Sequence, residues 1–245
     1  MTTTLKDQTA LVTGAGSGLG AAIAKALAEA GMKVVVADIS RDKAEKIARA
    51  IDETGERVLP LAFDVADERA ADDAVAQVLK RFGSLDVLVN NAGTDVTAPI
   101  EELSVADWDR VMATNLRGPF VLTKAALTAL QEGAGGSGGQ VINIASTAAR
   151  RCWPNASVYH ASKFGLVGLS HALHAELRAK KVRVSTVVCG GMRTPFLLDR
   201  FPDIDASKLQ DPARVAEAVR FVAGMPPESV IAEIMVLPVQ ETSWP

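Results

Sequence analysis

A tyrosine and a lysine stand four residues apart near the middle of the chain, in Tyr159-His160-Ala161-Ser162-Lys163. On a helix this spacing puts both side chains on one face, one turn apart. A phenol with an ordinary pKa near ~10 is a poor base at neutral pH, but a nearby ammonium favours the phenolate and lowers that pKa. The pair is therefore a candidate for acid–base chemistry, although the same spacing is common on helix surfaces and needs support from other motifs.

A glycine-rich turn near the N-terminus is a candidate site for a dinucleotide. It follows a β-branched run and consists of Gly14, Ala15, Gly16, Ser17, Gly18, Leu19 and Gly20. Glycines allow the backbone to approach a pyrophosphate closely, and the N-terminus of the following helix offers free N–H groups and a positive dipole end. A strand before the turn, a helix after it and an acidic residue closing the next strand are the context that such a site requires.

That acidic residue is Asp38, at the end of KVVVAD. A carboxylate here can accept hydrogen bonds from both hydroxyls of an adenosine ribose and repels a 2′-phosphate, which predicts NAD rather than NADP as the cofactor. Arg41 could instead reach such a phosphate; the alternative is that it is an exposed side chain in the first turn of a helix.

The rest of the chain must position these groups, and it alternates between short apolar runs and Ala-rich amphipathic stretches. Strands are predicted at Thr9–Thr13, Lys33–Ala37, Arg57–Phe63, Leu85–Asn90, Gln140–Ala145, Val182–Val188 and Ile231–Val239. Helices are predicted at Leu19–Ala30, Arg41–Glu53, Glu68–Phe82, Ala106–Leu130, Ser157–Lys180 and Pro212–Val222. Continuous apolar strands that alternate with helices are typical of a parallel sheet buried on both faces.

The predicted fold is therefore α/β, with a doubly wound parallel sheet of about seven strands and helices on both faces. Residues 1–245 would form a single domain, with a cofactor half at roughly 1–140 and a catalytic and substrate half at roughly 141–245. The segment Gly190–Gln210 shows no clear periodicity. A long irregular segment in a domain of short connections is often a lid over a site.

Composition limits the classes of partner. Apolar residues make up 48% of the chain and charged residues 22%, so a sizeable core is expected. The net charge of −3 comes without a basic tail or stripe, which argues against nucleic acid or an anionic membrane as a partner. Met1–Ala10 lacks the apolar core of a secretory signal, no apolar run could span a bilayer, and Cys152 and Cys189 have no metal-ligand spacing. A reduced, cytoplasmic protein without a metal is expected.

Taken together and in order, these motifs resemble those of the classical short-chain dehydrogenase/reductase family, from about Thr9 to Phe196. The resemblance rests on the TGxxxGxG turn, Asp38, Asn90-Asn91-Ala92-Gly93 after the fourth strand, and Ser146 thirteen residues before Tyr159. It implies a Rossmann-type dehydrogenase fold and hydride transfer between NAD(P) and an alcohol or ketone, in which the cofactor carries the hydride and the protein handles the proton.

The resemblance also implies four catalytic residues, Asn115, Ser146, Tyr159 and Lys163. Tyr159 would exchange a proton with the substrate oxygen. Lys163 would hold the nicotinamide ribose and lower the pKa of the tyrosine. Ser146 would hydrogen-bond the substrate oxygen as charge develops on it, and Asn115 would position a water molecule in a proton relay.

For the cofactor, the resemblance assigns Asp64 and Val65 to the adenine end and Thr194 to the carboxamide of the nicotinamide. The complete predicted cofactor set is Gly14, Gly16, Ser17, Gly18, Leu19, Gly20, Asp38, Asp64, Val65, Asn91, Ala92, Gly93, Tyr159, Lys163 and Thr194. The chain departs from the family pattern at Cys189-Gly190, where Pro-Gly is usual. This change loosens a turn and removes no catalytic group, and Cys189 is interpreted as a buried, inert thiol rather than a redox-sensitive one.

The substrate would lie against the Gly190–Gln210 segment, in a wall formed by Ser146, Thr147, Trp153, Asn155, Tyr159, Met192 and Phe196. An NAD-dependent dehydrogenase of a secondary alcohol or its ketone is the leading hypothesis. A reductase of 3-oxoacyl carrier-protein thioesters stays open if Arg150-Arg151 form a cationic rim rather than two solvated loop arginines. A catalytically silent protein that binds a dinucleotide and acts as a scaffold is the third hypothesis. The family implies a homotetramer, or a homodimer.

Overall fold

Seven apolar runs form strands in the computed structural model, which describes residues 4–241. They are β1 Thr9–Thr13, β2 Lys33–Asp38, β3 Val58–Ala62, β4 Val87–Asn90, β5 Gln140–Ser146, β6 Arg183–Cys189 and β7 Glu233–Val236. All pair in parallel in one sheet, in the order β3-β2-β1-β4-β5-β6-β7. This order is that of a Rossmann sheet with one added strand, and the predicted fold is confirmed.

Helices cover both faces of the sheet. They are α1 Gly18–Glu29, α2 Arg41–Ile51, α3 Glu68–Phe82, α4 Val105–Met112, α5 Gly118–Glu132, α6 Ser157–Leu177, α7 Pro195–Leu198 and α8 Pro212–Ala223. Because successive side chains of a strand point to opposite faces, Val34 and Val36 pack with α1 and α8, whereas Val35 packs with α3 and α5. Two cores thus lie on either side of one sheet. None of the helices within residues 4–241 is long and apolar enough to cross a bilayer.

The single helix predicted at Ala106–Leu130 is wrong in one respect. The structure divides it into α4, a π-helical turn at Ala113–Arg117, and α5. In one continuous helix the N–H of residue 119 would donate to the carbonyl of Asn115, and Pro119 has no N–H to do so. The N–H of Gly118 instead reaches the carbonyl of Ala113, five residues back. This wider turn lies beside the candidate site, where π-turns are often found.

Two other segments differ from expectation near the C-terminal end. The strand predicted at Ile231–Val239 is shorter, because only Glu233–Val236 pair with β6 and Pro238 cannot extend the ladder. The Gly190–Gln210 segment contains α7 and a 3₁₀ turn at Ala206–Lys208. The remaining strands and helices differ from their predicted bounds only at their ends.

Candidate active site

A cavity of about 950 Å³ opens where the strands of the sheet end. Since all strands are parallel, their carboxyl ends meet at one edge, and the loops after β1, β2, β4, β5 and β6 all contribute to the wall. The sheet order reverses direction between β1 and β4, and ligands of open α/β sheets bind in the crevice at such a switch point. The volume is that of a site for a small molecule or cofactor.

The glycine turn after β1 forms one end of this cavity. Gly14 has a φ of +61°, and a Cβ there would lie 2.8 Å from the Cα of Ala92. A Cβ on Gly20 would lie 2.2 Å from the carbonyl oxygen of Gly14, so a side chain cannot be accommodated at either position. The Asn91 amide donates to the carbonyls of Thr13 and Gly14, at 2.9 and 3.2 Å, and fixes the turn. The bare backbone and the start of α1 form a cradle that fits a pyrophosphate.

Asp38 lies at the end of β2 beside this cradle. One carboxylate oxygen accepts from the N–H of Gly16 at 2.9 Å, and the other accepts from the N–H of Ser40 at 3.0 Å. A carboxylate has about four acceptor positions, so both oxygens retain capacity for ribose hydroxyls. Arg41 is not part of the cavity wall, and its exposed guanidinium lies 4.0 Å from Glu45.

Tyr159 and Lys163 lie on α6 and both line the cavity. The Lys163 Nζ donates to the carbonyl of Ile144 in β5 at 3.0 Å and lies 5.8 Å from the centre of the Tyr159 ring. Burial lowers the pKa of Lys163 to about 8, because a charged ammonium is poorly solvated there. The four-residue spacing therefore directs both groups into one cavity.

The pKa of Tyr159 differs from the expectation that a nearby ammonium lowers it. In the protein alone, burial raises the pKa of this phenol to about 12, and a hydrogen bond with Ser146 offsets only part of the effect. The Asp95 carboxylate raises it further, and the Arg200 guanidinium lowers it. Desolvation is the largest of these effects, so the phenolate needs an additional positive group to become accessible.

Ser146 ends β5 and also lines the cavity. Its hydroxyl accepts from the N–H of Ala148 at 3.1 Å and is hydrogen-bonded to Tyr159. Three side chains able to act on a substrate oxygen, those of Ser146, Tyr159 and Lys163, thus share one wall.

Asn115 is fully buried in the π-turn and lies behind the cavity wall rather than in it. Its amide oxygen accepts from the N–H of Thr94 at 2.8 Å, and its amide nitrogen donates to the Thr94 carbonyl and to the Ser162 hydroxyl, at 2.8 and 3.0 Å. Ser162 in turn donates to the carbonyl of Tyr159 at 2.8 Å. The side chain joins the loop after β4 to α6, which is the contact of a positioning residue.

Most of the predicted site residues line this one cavity. They are Gly14, Ser17, Gly18, Leu19, Gly20, Asp38, Asp64, Val65, Asn91, Ala92, Gly93, Ser146, Thr147, Trp153, Tyr159, Lys163, Met192, Thr194 and Phe196. Gly16 lies outside the wall and supports Asp38. Asn155 also lies outside: it is exposed, has a φ of +63°, and its carbonyl accepts from the N–H of Ala98 at 2.9 Å. Asn155 was predicted in the substrate wall, and the structure instead places it in a surface turn with a left-handed backbone.

The departure at Cys189 does not introduce a reactive group. The side chain is a free, buried thiol, and burial raises its pKa to about 12. A thiol with so high a pKa stays protonated and is a poor nucleophile. The interpretation of Cys189 as an inert packing residue is supported.

His160 was not predicted as a site residue, yet it fixes the substrate side of the cavity. Its Nδ1 lies 2.8 Å from the carbonyl of Ala148, and its Nε2 accepts from the N–H of Trp153 at 3.1 Å. The Trp153 ring packs edge-on against the imidazole, with centroids 4.3 Å apart. The sequence feature that could have identified His160 is its position directly after Tyr159. In the structure it lies against the loop that follows Ser146.

Asp95 and Arg200 were also missed, and both line the cavity. They form an ion pair between the loop after β4 and the Gly190–Gln210 segment. Asp95 stands two residues after the Asn91-Ala92-Gly93 turn, and this proximity was the available signal.

The Arg150-Arg151 pair does not form an unopposed cationic rim. Arg150 is ion-paired with Glu233 of β7, and His171 lies 3.6 Å from the same carboxylate. The Arg150 side chain is only 22% exposed, so much of its charge is directed at Glu233 rather than at solvent.

Comparison with known proteins bears directly on this cavity. Residues 8–205 match the family model described as short chain dehydrogenase. D-threitol dehydrogenase of Mycolicibacterium smegmatis is 41% identical over 183 residues, which is 75% of this chain and 69% of that protein. The structure of 3-ketoacyl-(acyl-carrier-protein) reductase from Brucella melitensis complexed with NADH has a TM-score of 0.87 and 33% identity, covering 96% of this chain and 99% of that one. A metagenomic short-chain oxidoreductase in complex with NADP has a TM-score of 0.83 and 32% identity, covering 97% and 99%.

Proposed function

Because the chain belongs to the short-chain dehydrogenase/reductase family, we propose that it interconverts a secondary alcohol and its ketone with a nicotinamide cofactor. The observation that best supports this is that Ser146, Tyr159 and Lys163 line the same cavity as the glycine turn. The cavity thus combines a cradle for a pyrophosphate with a proton-handling group.

When bound, the nicotinamide cofactor supplies or accepts the hydride. Tyr159 gives its hydroxyl proton to the substrate oxygen when a ketone is reduced and takes that proton back when an alcohol is oxidised. Ser146 donates a hydrogen bond to the same oxygen and stabilises the charge that develops on it. Lys163, held by the Ile144 carbonyl, keeps a positive charge beside Tyr159 and offers its remaining N–H groups to the ribose.

NAD is the proposed cofactor in preference to NADP. The Asp38 carboxylate supports this choice, because two backbone N–H groups hold it beside the glycine turn. A 2′-phosphate would approach this fixed negative charge, and Arg41 lies outside the wall where it would be needed as a counter-ion.

The experiment that tests the function is a panel of alcohols and ketones assayed with NAD(H) and NADP(H) by nicotinamide absorbance. We expect turnover of at least one secondary alcohol or ketone. Binding of NAD without turnover of any member would contradict the proposal and favour a silent dinucleotide-binding protein.

A carrier-protein thioester is the alternative substrate, favoured by the similarity to the Brucella reductase. The ion pair between Arg150 and Glu233 argues against it, because a docking rim needs uncommitted cations. We expect an Arg150→Ala/Arg151→Ala double variant to keep kcat/KM within about threefold of wild type for a carrier-linked ketone, as does the exposed control Arg214→Ala. A loss of tenfold or more confined to the carrier-linked substrate, with small ketones unaffected, would instead support carrier docking.

Tyr159 is the only tyrosine in the chain, so its titration can be followed by ultraviolet absorbance. Burial raises the pKa of the free protein's phenol to about 12. Oxidised cofactor adds a positive charge, and we expect the midpoint to fall well below the ordinary value of ~10 when it binds. Because oxidation needs the phenolate and reduction needs the phenol, kcat/KM for oxidation should rise with pH and that for reduction should fall. A midpoint that stays at or above ~10 with oxidised cofactor bound would count against Tyr159 as the base, and Tyr159→Phe supplies the spectral blank.

The assembly that we propose is a homotetramer, with a homodimer as the smaller alternative. Large aromatic side chains on the outer faces of α4, α5, α6 and α8 support it: Trp108 is 36% exposed, Phe120 48%, Phe164 45% and Phe221 51%. Exposed aromatic residues are enriched at protein interfaces. A sedimentation mass equal to one chain would contradict the proposal.

A further inference from the structure

The Asp95 carboxylate is buried in the wall of the candidate active site. Its side chain is only 7% exposed, and the residue lines the cavity together with Ser146 and Tyr159. One of its oxygens is paired with the Arg200 guanidinium. The other, Oδ1, is buried and has no well-formed hydrogen bond among residues 4–241, although the backbone N–H of Val96 is close enough to the carboxylate to lower its pKa. A buried acceptor without a donor is unfavourable, and a carboxylate can accept several hydrogen bonds.

Arg200 is held in place by its own segment rather than being available to a ligand. Its Nε and Nη2 donate to the carbonyl of Phe196 at 3.1 and 2.8 Å, and its guanidinium stacks 4.0 Å from the centre of the Phe196 ring. That ring lies 5.9 Å from the Tyr159 ring. Burial raises the pKa of Asp95, and the Arg200 guanidinium offsets part of that effect. Since the guanidinium is already paired, the Asp95 carboxyl group is the one with spare hydrogen-bonding capacity.

Asp95 and Tyr159 act on neighbouring parts of the cavity. The Asp95 charge is close enough to Tyr159 to raise the pKa of the phenol, and both residues are in contact with the segment that carries Phe196 and Arg200. Because both residues line one cavity, the carbon atoms next to a reacting oxygen at Tyr159 would lie in the same cavity as Asp95.

We propose that Asp95 is a specificity-determining residue that accepts a hydrogen bond from a second hydroxyl, next to the reacting carbinol. The substrate class is then a vicinal diol or a longer polyol, and the inference rests on the proposed function above. A substrate carboxylate at this place would meet the like charge of Asp95 while Arg200 is already paired. An alkyl group would leave the buried acceptor without a donor, and sites built to hydrogen-bond a hydroxyl discriminate strongly against analogues that lack it.

The test compares propylene glycol with isopropanol, which differ by the one hydroxyl, in the wild type and in Asp95→Asn, Asp95→Leu and the exposed control Asp203→Leu. We expect wild type to favour the diol by about tenfold or more in kcat/KM, and Asp95→Leu to lower this ratio by at least about tenfold. Asp95→Asn should retain part of the preference, because its amide oxygen still accepts a hydrogen bond. Asp203→Leu should leave the ratio unchanged.

A purely structural role would lower both activities together and leave the ratio intact, which would overturn the inference. If Asp95→Leu fails to fold because Arg200 is left unpaired, the double variant Asp95→Leu/Arg200→Met removes both charges and is measured for the same ratio. A wild type that oxidises isopropanol as well as the diol, or monoalcohols but no diol of the panel, overturns the inference and leaves the proposed function standing. A wild type that turns over no alcohol or ketone overturns both.

Discussion

Replacing Tyr159 with phenylalanine is expected to lower kcat by about 10³-fold in both directions while NAD affinity stays within a few-fold of wild type. A positioned acid or base contributes roughly 10²–10⁴ to a rate. Among the side chains of Ser146, Tyr159 and Lys163, the serine would become a strongly basic alkoxide on giving up its proton, and the Lys163 Nζ is held by the Ile144 carbonyl, so the Tyr159 phenol is the proposed proton donor. The measurement is steady-state kinetics with the best substrate of the panel, together with cofactor binding by fluorescence.

The substitution is expected to leave the fold intact. The Tyr159 ring stays in place next to Phe196, and only the hydrogen bond with Ser146 is lost, which changes stability by about 1 kcal/mol. Ser146→Ala is the matched comparison, since it removes the other end of the same hydrogen bond and the proposed contact with the substrate oxygen but not the proton donor. A Tyr159→Phe enzyme that retains a tenth of the wild-type kcat would exclude Tyr159 as the acid–base group.

The parts of the site that could be predicted from sequence are those whose residues share one element or one turn. Tyr159 and Lys163 share a face of α6 because four residues make about one helical turn. The glycine turn and Asp38 close two neighbouring parallel strands, so both had to lie at the same edge of the sheet. In each case the spacing along the chain and the geometry of a regular element are sufficient.

Contacts between distant segments could not be predicted in this way. Asp95 and Arg200 are 105 positions apart, and they meet only because α7 turns back over the cavity. The Asn115 amide is hydrogen-bonded to Thr94 and Ser162 across two elements, which the sequence did not show, and its role in positioning a water molecule stays a prediction. Its surroundings depend on the π-turn at Ala113–Arg117. Pro119, inside the stretch predicted as one helix, was the residue that indicated a break there.

The raised pKa of Tyr159 has the same origin. The sequence shows Lys163 one turn away and predicts a lowered pKa, but it does not show how much protein surrounds the phenol. In the structure desolvation is the larger effect, and Asp95 adds to it from another loop. The tertiary structure therefore favours the phenol form of Tyr159 in the free protein, and we expect Tyr159 to need a bound positive charge to act as the proposed base.

The second large effect is expected at Asp38. We predict that Asp38→Asn lowers the ratio of kcat/KM with NAD to kcat/KM with NADP by roughly 30-fold or more. Two unit charges about 4 Å apart interact by roughly 4 kcal/mol at an effective dielectric constant of about 20, and half of that repulsion is worth about 30-fold. Asparagine keeps the shape and one acceptor oxygen, for the N–H of Gly16 or that of Ser40, so the change removes the charge together with one of the two backbone hydrogen bonds. Steady-state kinetics with both cofactors at fixed ionic strength measures the ratio.

Asp42→Asn is the matched control, because Asp42 is an exposed carboxylate in the first turn of α2 and lies outside the cavity wall. It should leave the ratio within about twofold. A wild type that prefers NADP would contradict the prediction and make Arg41 the determinant, and Arg41→Ala would then abolish the preference. If Asp38 sets the choice, Arg41→Ala leaves the NAD-to-NADP ratio unchanged, because in the structure its guanidinium is directed at Glu45 rather than at the cavity. The two single variants thus decide whether one carboxylate at the end of β2 or one cation at the start of α2 reads the ribose.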